Sequence, residues 1–184
     1  MPSRSFWDVL VVILEKKIQG VSAAALTRFA GRAQRAAGLR GRVSILVTGS
    51  AELRRLNRRY RRKDRTTDVL SFSADGVRTS RPHLQLAGDI AISAEVAAGN
   101  ARRFGHSAAA EVKILILHGL LHLTGLDHDA ERDRGQMARR EERLRRRLGL
   151  PGSLIGRNSG RASRPHPPRS SREGKARLAR PHTA

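Results

Sequence analysis

The chain has 184 residues, enough for one ordinary domain with a hydrophobic core and a short appended segment. Apolar residues make up 39% of the sequence but aromatic residues only 3%, so we expect a core of aliphatic side chains. Cysteine is absent, which excludes disulfides and thiolate metal ligands. The apolar N-terminal stretch, 9–14, is too short for a signal peptide or a membrane span, so we expect a soluble, cytoplasmic protein.

The formal net charge is +21, and it is not confined to one end of the chain. Residues 151–184 contain eight Lys and Arg and one acidic residue, so residues 1–150 still carry +14. A folded domain this basic commonly binds a polyanion, most often a nucleic acid. The alternative is an arginine-rich composition whose side chains only solvate helix surfaces. Charge alone leaves both interpretations open.

Hydrophobic periodicity predicts an alternation of strands and helices. In chain order these are strand 9–14, helix 22–37, strand 43–47, helix 50–61, strand 67–72, loop 73–86, strand 87–92, and helices 93–105, 107–125 and 129–148. Four serines at helix starts are predicted N-caps because a hydroxyl can accept a hydrogen bond from the first helical turn. They are Ser22, Ser50, Ser93 and Ser107.

Two of these helices differ in how they are expected to pack. The helix 107–125 is apolar almost all round, so it should lie buried in the middle of the domain. The helix 129–148 carries only a narrow apolar stripe, Met137, Leu144 and Leu148, and should lie on the surface. We therefore predict an α+β fold, a small mixed sheet packed with helices around a central apolar helix. Residues 1–150 would form this domain, and the polar, basic residues 151–184 a disordered tail.

The segment 118–128, HGLLHLTGLDH, carries the most informative pattern in the chain. His118 and His122 are four residues apart, so on a helix both imidazoles project from one face and can reach one metal ion. Gly125 can adopt a positive φ, which allows the chain to turn and bring His128 in as a third ligand. Buried histidines hydrogen-bonded in a core are the alternative, but the spacing of all three favours a metal. Copper, iron and nickel also accept imidazole, but we predict one Zn²⁺, since three ligands leave an open position for hydrolysis.

The same segment nearly matches the metzincin peptidase motif, H-E-x-x-H-x-x-G-x-x-H. The glutamate that serves peptidases as general base is replaced here by Gly119. A base for hydrolysis must then come from elsewhere, and Asp127 is the nearest candidate. Asp127 could equally accept a hydrogen bond from a ligand imidazole, which would orient that ring without any role as a base.

Four segments, in order along residues 40–145, resemble the bacterial YbeY endoribonucleases, also called rRNA maturation factors. HGLLHLTGLDH is similar to the HGxLHLxGxDH signature of that family. The other three segments are similar to its helix and strand motifs, namely LRRLNRRYR at 53–61, TDVLSF at 67–72 and GDI at 88–90.

The resemblance implies a single-strand-specific, metal-dependent endoribonuclease that matures the 3′ end of 16S rRNA and takes part in ribosome quality control. Its partners would be RNA, the small ribosomal subunit and its assembly proteins; neither DNA nor a membrane is expected. The family's zinc ligands fall on His118, His122 and His128. Its phosphate-binding arginine falls on Arg61, whose guanidinium can bind a phosphate in bidentate fashion.

Basic residues around Arg61 are further candidates for RNA contacts, although they could equally form a solvated face. They are Arg58, Arg59, Arg62, Lys63 and Arg65. For residues 151–184 two interpretations stand, attachment to RNA or the ribosome with a steep salt dependence, or disorder without function.

Two other functions compete with the nuclease. One is a non-catalytic, rRNA-binding ribosome assembly factor in which the metal is structural. The other is a metallopeptidase, which Gly119 and the positive charge disfavour.

Overall fold

The structure is a computed structural model, and it describes residues 10–74, 85–126 and 135–152. Within these ranges the chain forms four strands and five helices. They are β1 (Leu10–Leu14), α1 (Ala23–Ala36), β2 (Arg42–Thr48), α2 (Ser50–Arg61), β3 (Val69–Ser73), β4 (Leu86–Ser93), α3 (Ala94–Phe104), α4 (Ala108–Leu123) and α5 (Gln136–Leu148). Each predicted strand and helix has a counterpart. The predicted start of the last helix, 129–134, and most of the predicted loop 73–86 lie outside the described residues.

Three of the four predicted N-caps are confirmed. The hydroxyls of these serines accept hydrogen bonds, 3.1–3.2 Å long, from backbone N–H groups three residues later; the serines are Ser22, Ser93 and Ser107. The prediction for Ser50 is wrong, because Gly49 holds the N-cap position and Ser50 is the first residue of α2. The Ser50 hydroxyl lies 2.7 Å from the Ser93 hydroxyl, and its backbone N–H donates to Glu95. The Glu95 carboxylate of α3 thus accepts a hydrogen bond from a backbone N–H in the first turn of α2.

The sheet has the strand order β1-β2-β4-β3. β1, β2 and β4 run parallel, and β3 is antiparallel to β4. Ile45 of β2 lies in register with Val12 on one side and Ile90 on the other, and Leu70 of β3 faces Ala91. β4 therefore lies between β2 and β3, which both precede it in the sequence. The predicted small mixed sheet is confirmed.

One face of the sheet holds the main hydrophobic core. Alternate residues of β2 point into it, and Val43, Ile45 and Val47 are all at most 1% exposed. The core is closed by α1, α4 and α5, and α4 contributes the largest share. Buried residues occur on every side of α4, from Val112 to Leu123. The predicted central apolar helix, and with it the α+β fold class, is confirmed.

The opposite face of the sheet packs against α2. Leu53 of α2 forms a small buried cluster with Leu70 and Ala91, which are the strand residues that point away from the main core. The rings of Tyr60 and Phe72 meet edge to face with their centroids 5.2 Å apart. β3 and β4 therefore lie between α2 on one side and α4 on the other.

All described residues belong to one compact unit, Met1–Leu154. The predicted basic tail, 151–184, lies outside the described residues apart from 151 and 152, so it stays a prediction. Among the helices that the structure describes, none combines the length and the apolar character needed to cross a membrane.

Candidate metal centre

The last turns of α4 bring His118 and His122 together, as their spacing predicts. Their Nε2 atoms are 3.1 Å apart, and the two rings meet edge to face with centroids separated by 4.8 Å. Two nitrogens bound to one tetrahedral zinc ion, each about 2.0–2.1 Å from the metal, are themselves about 3.3 Å apart. This histidine pair, His118 and His122, already has the nitrogen spacing of two zinc ligands, so the donor set fits the predicted ion.

The other nitrogen of His118 is held by a carboxylate from α5. Its Nδ1 lies 2.9 Å from Oε2 of Glu141, and the second carboxylate oxygen, Oε1, accepts a hydrogen bond from Nη2 of Arg145. Burial alone would raise the pKa of Glu141, but the hydrogen bond with His118 and the guanidinium of Arg145 lower it to about 2. Glu141 is therefore an anion at neutral pH.

An ionised carboxylate can only accept hydrogen bonds, so Nδ1 of His118 must carry the proton in this contact. In the neutral form of that ring the lone pair is on Nε2, the atom that faces His122 at 3.1 Å. A metal ion bound there would accept this lone pair.

Glu141 and Arg145 were not predicted from the sequence. In the sequence they stand in a run of charged residues that suggests a solvated surface. The structure buries both, with 7% and 2% exposure. One signal was present, because Glu141 lies on the same helical stripe as Met137 and Leu144, which are buried against the main core.

Gly119 lies where α4 packs most closely on the sheet. A Cβ atom at this position would be 2.9 Å from Cγ2 and 3.0 Å from Cδ1 of Ile90, and 3.1 Å from Oγ of Ser71. Ile90 is only 1% exposed and has little room to move. The packing therefore excludes a glutamate here, which accounts physically for the departure from the peptidase motif.

Replacing Gly119 by alanine should destabilise the fold. Alanine gains roughly 1 kcal/mol of helix propensity, but overpacking a filled core costs about 1–3 kcal/mol, so the free energy of unfolding should fall by up to about 2 kcal/mol. Urea titration of Gly119→Ala measures this. Gly99→Ala in α3 is the matched control, because a Cβ there meets nothing within 4 Å and should raise the midpoint. A Gly119→Ala midpoint at or above that of the parent chain would contradict the packing argument.

The third predicted ligand, His128, and the predicted base, Asp127, lie outside the described residues. α4 ends at Leu123, and Gly125 has φ +85°. The predicted positive φ at Gly125 is thus confirmed, and the chain turns directly after the histidine pair. In the parts of the chain that the structure describes, no group of three or more His, Asp or Glu side chains could hold a metal ion.

Residues 58–65, called here the basic segment, form the end of α2 and the turn that follows. All eight are exposed, including the six predicted to contact RNA: Arg58, Arg59, Arg61, Arg62, Lys63 and Arg65. Arg61 is the last residue of α2, and Arg62 adopts the left-handed conformation that ends the helix. The phosphate-binding role of Arg61 stays a prediction.

Two contacts hold the turn of the basic segment in place. Asn57, only 3% exposed, donates from Nδ2 to the backbone oxygen of Arg65 at 2.9 Å. Arg54 donates to both carboxylate oxygens of Asp64 at 2.7 and 2.9 Å, and this hydrogen bond lowers the pKa of Asp64. The one acidic residue of the segment is thereby paired, and the arginines and the lysine dominate its charge.

Comparison with known proteins finds one family that matches most of the chain. A family model described as Endoribonuclease YbeY matches residues 11–149. A relative of that name from Koribacter versatilis is 54% identical over 151 residues, which cover 81% of this chain and 92% of the relative. A second, from Solibacter usitatus, is 51% identical over 131 residues, or 71% of this chain and 82% of the relative.

The fold has a solved counterpart. The solution structure of TM1509 from Thermotoga maritima superposes with a TM-score of 0.53 at 21% identity, covering 76% of this chain and 89% of that one. The family match extends from β1 to the end of α5 and includes the histidine pair, Glu141 and the basic segment. The chain therefore belongs to the endoribonuclease YbeY family.

Proposed function

We propose that this chain is a zinc-dependent endoribonuclease that cleaves single-stranded RNA. The observation that carries the proposal is the histidine pair, whose Nε2 atoms lie 3.1 Å apart at the end of α4. RNA as the substrate is supported by the names of the relatives and by the +14 charge of residues 1–150. A peptidase is disfavoured because the packing around Gly119 leaves no room for the glutamate base.

In this proposal His118, His122 and His128 hold one zinc ion. Held by these residues, the ion would supply Lewis acidity toward the phosphodiester and toward water. Asp127 follows α4 closely in the sequence and is proposed either as the base that takes the proton from water or as the hydrogen-bond acceptor of a ligand imidazole.

The basic segment is proposed to hold the RNA backbone. Arg61 would bind the scissile phosphate in bidentate fashion and stabilise the charge that develops on it, and the neighbouring arginines and Lys63 would bind flanking phosphates. Aromatic residues are only 3% of the chain, so contacts to the backbone should dominate over base stacking. Selectivity among sequences should then be weak in the isolated protein.

The proposed role in the cell is cytoplasmic maturation of the 3′ end of 16S rRNA and ribosome quality control. Weak intrinsic sequence selectivity is consistent with a cleavage position set by the ribosomal context. The small ribosomal subunit and its assembly proteins are the proposed partners.

The direct test combines metal analysis with RNA cleavage. Protein stripped with a chelator should lose cleavage of an end-labelled single-stranded RNA, and one equivalent of zinc should restore it. The same RNA annealed to its complement should resist cleavage and serves as the substrate control. Full cleavage by protein that contains less than a tenth of an equivalent of any transition metal would refute the metal-dependent mechanism.

The same experiment separates the nuclease from the assembly factor. A zinc-loaded chain that binds rRNA fragments tightly but cleaves none of them would favour the non-catalytic assembly factor with a structural metal. Cleavage that follows zinc content would exclude it.

A further inference from the structure

Glu141 and Arg145 form a buried ion pair beside the hydrophobic core. Arg145 is the largest fully buried side chain of the described residues, although α5 has exposed positions for four other arginines. Taking both charges out of water is costly, and well-packed apolar residues of similar volume often serve a core at least as well. The pair therefore calls for a reason other than packing.

The geometry of the pair supplies that reason. Each oxygen of the Glu141 carboxylate has a different partner. Oε1 accepts a hydrogen bond from Arg145, and Oε2 lies 2.9 Å from Nδ1 of His118. Arg145 fixes the rotation of the carboxylate, and the carboxylate fixes both the orientation and the tautomer of the imidazole. Nε2 of His118 is thereby directed toward His122, whose Nε2 lies 3.1 Å away.

A purely stabilising role fits the contacts less well. The Nε atom of Arg145 is buried and has no hydrogen-bond partner among the described residues. An ion pair that served only to fasten α5 to α4 would be expected to satisfy this donor, because an unpaired buried donor counts against stability. The pair instead provides a hydrogen-bond partner for Nδ1 of His118.

We propose that Glu141, held by Arg145, is a positioning residue that prepares His118 to bind zinc. This inference rests on the metal site of the proposed function, and it adds α5 to that site. A ligand imidazole commonly donates its second N–H to a carboxylate, and removing such a partner typically weakens metal affinity 10–100-fold. In this protein the carboxylate that accepts from the ligand imidazole is Glu141, 23 residues after His118.

The test is the zinc affinity of the folded protein, measured by competition with a chromophoric chelator and without RNA. Glu141→Gln should bind zinc roughly 10–100-fold more weakly than the parent chain. Glu142→Gln is the matched control, because Glu142 is the next residue and pairs with Arg146 instead of His118. Its affinity should stay within twofold of the parent.

A double variant, Glu141→Leu with Arg145→Met, guards against misfolding because it removes both buried charges at once. Its thermal midpoint should equal or exceed that of the parent, while its zinc affinity should fall as in Glu141→Gln. Proton–nitrogen NMR of the zinc-free imidazoles should show Nδ1 of His118 protonated in the parent but not preferentially so in the double variant.

A folded double variant with the parent's zinc affinity would overturn this inference and leave the proposed nuclease activity untouched. Conversely, a parent chain that binds zinc without cleaving RNA would end the proposed function. The affinity comparison at Glu141 would still stand, so the two failures can be told apart.

Discussion

Replacing His122 by alanine is expected to abolish zinc binding and RNA cleavage together while the domain stays folded. His122 is only partly buried and is the penultimate residue of α4, so losing its ring opens no cavity in the main core. The metal, however, would lose one of its three proposed ligands, a member of the 3.1 Å nitrogen pair. Zinc affinity and cleavage should both fall by more than the roughly 10–100-fold that loss of an outer hydrogen-bond partner costs.

Equilibrium dialysis against zinc, cleavage of single-stranded RNA and far-ultraviolet circular dichroism measure these three properties. His106→Gln is a suitable control, since His106 is a histidine paired with Glu111 at the start of α4, away from the histidine pair. It should retain zinc and activity. Unchanged cleavage by a folded, zinc-free His122→Ala protein would mean that the metal takes no part in the reaction.

Replacing Gly88 by alanine is expected to have the largest effect on stability. Gly88 has φ +152°, which side chains rarely tolerate, and a Cβ there would lie 2.3 Å from the backbone oxygen of Phe72 and 2.7 Å from Cδ2 of Leu123. The backbone cannot easily retreat, because β3 and β4 pair at this point. Strain and overpacking together should lower the free energy of unfolding by roughly 2–6 kcal/mol, a large part of the typical total.

Urea or thermal denaturation checks this expectation. Gly31→Ala in α1 is the control, because a Cβ at that position makes only an ordinary 3.7 Å contact with Arg35. It should be neutral or stabilising. If Gly88→Ala unfolds at the same urea concentration as Gly31→Ala, the backbone clash is not real. Because Leu123 ends α4, a destabilised Gly88→Ala protein should also bind zinc less well.

The parts of the fold that depend on local periodicity could be predicted from the sequence. The apolar residues of helix 107–125 fixed both its helical character and its central position. The four-residue spacing of His118 and His122 required only the geometry of one helix to place both rings together. The positive φ of Gly125 likewise follows from a property of that single residue.

Features that depend on distant segments could not be predicted. Glu141 reaches His118 only because α5 packs against α4, and the backbone N–H of Ser50 at the start of α2 donates to Glu95, 45 residues later. The place of β4 between β2 and β3 also depends on pairings between strands far apart in sequence. Gly88 could be recognised in the sequence as part of the GDI motif. That a Cβ at this position would clash with Phe72 depends on the register between β3 and β4.

The orientation of α4 also matters for the electrostatics of the centre. The histidine pair lies in the last turns of the helix, where the aligned peptide dipoles leave a partial negative charge. This end of the helix favours a cation and disfavours a phosphate. In the proposed function an RNA strand would therefore meet an unfavourable backbone potential at the histidines, which the zinc ion and the basic residues would offset. The end of the helix would favour the proposed metal ion, and the excess of arginine in the domain would favour the proposed RNA.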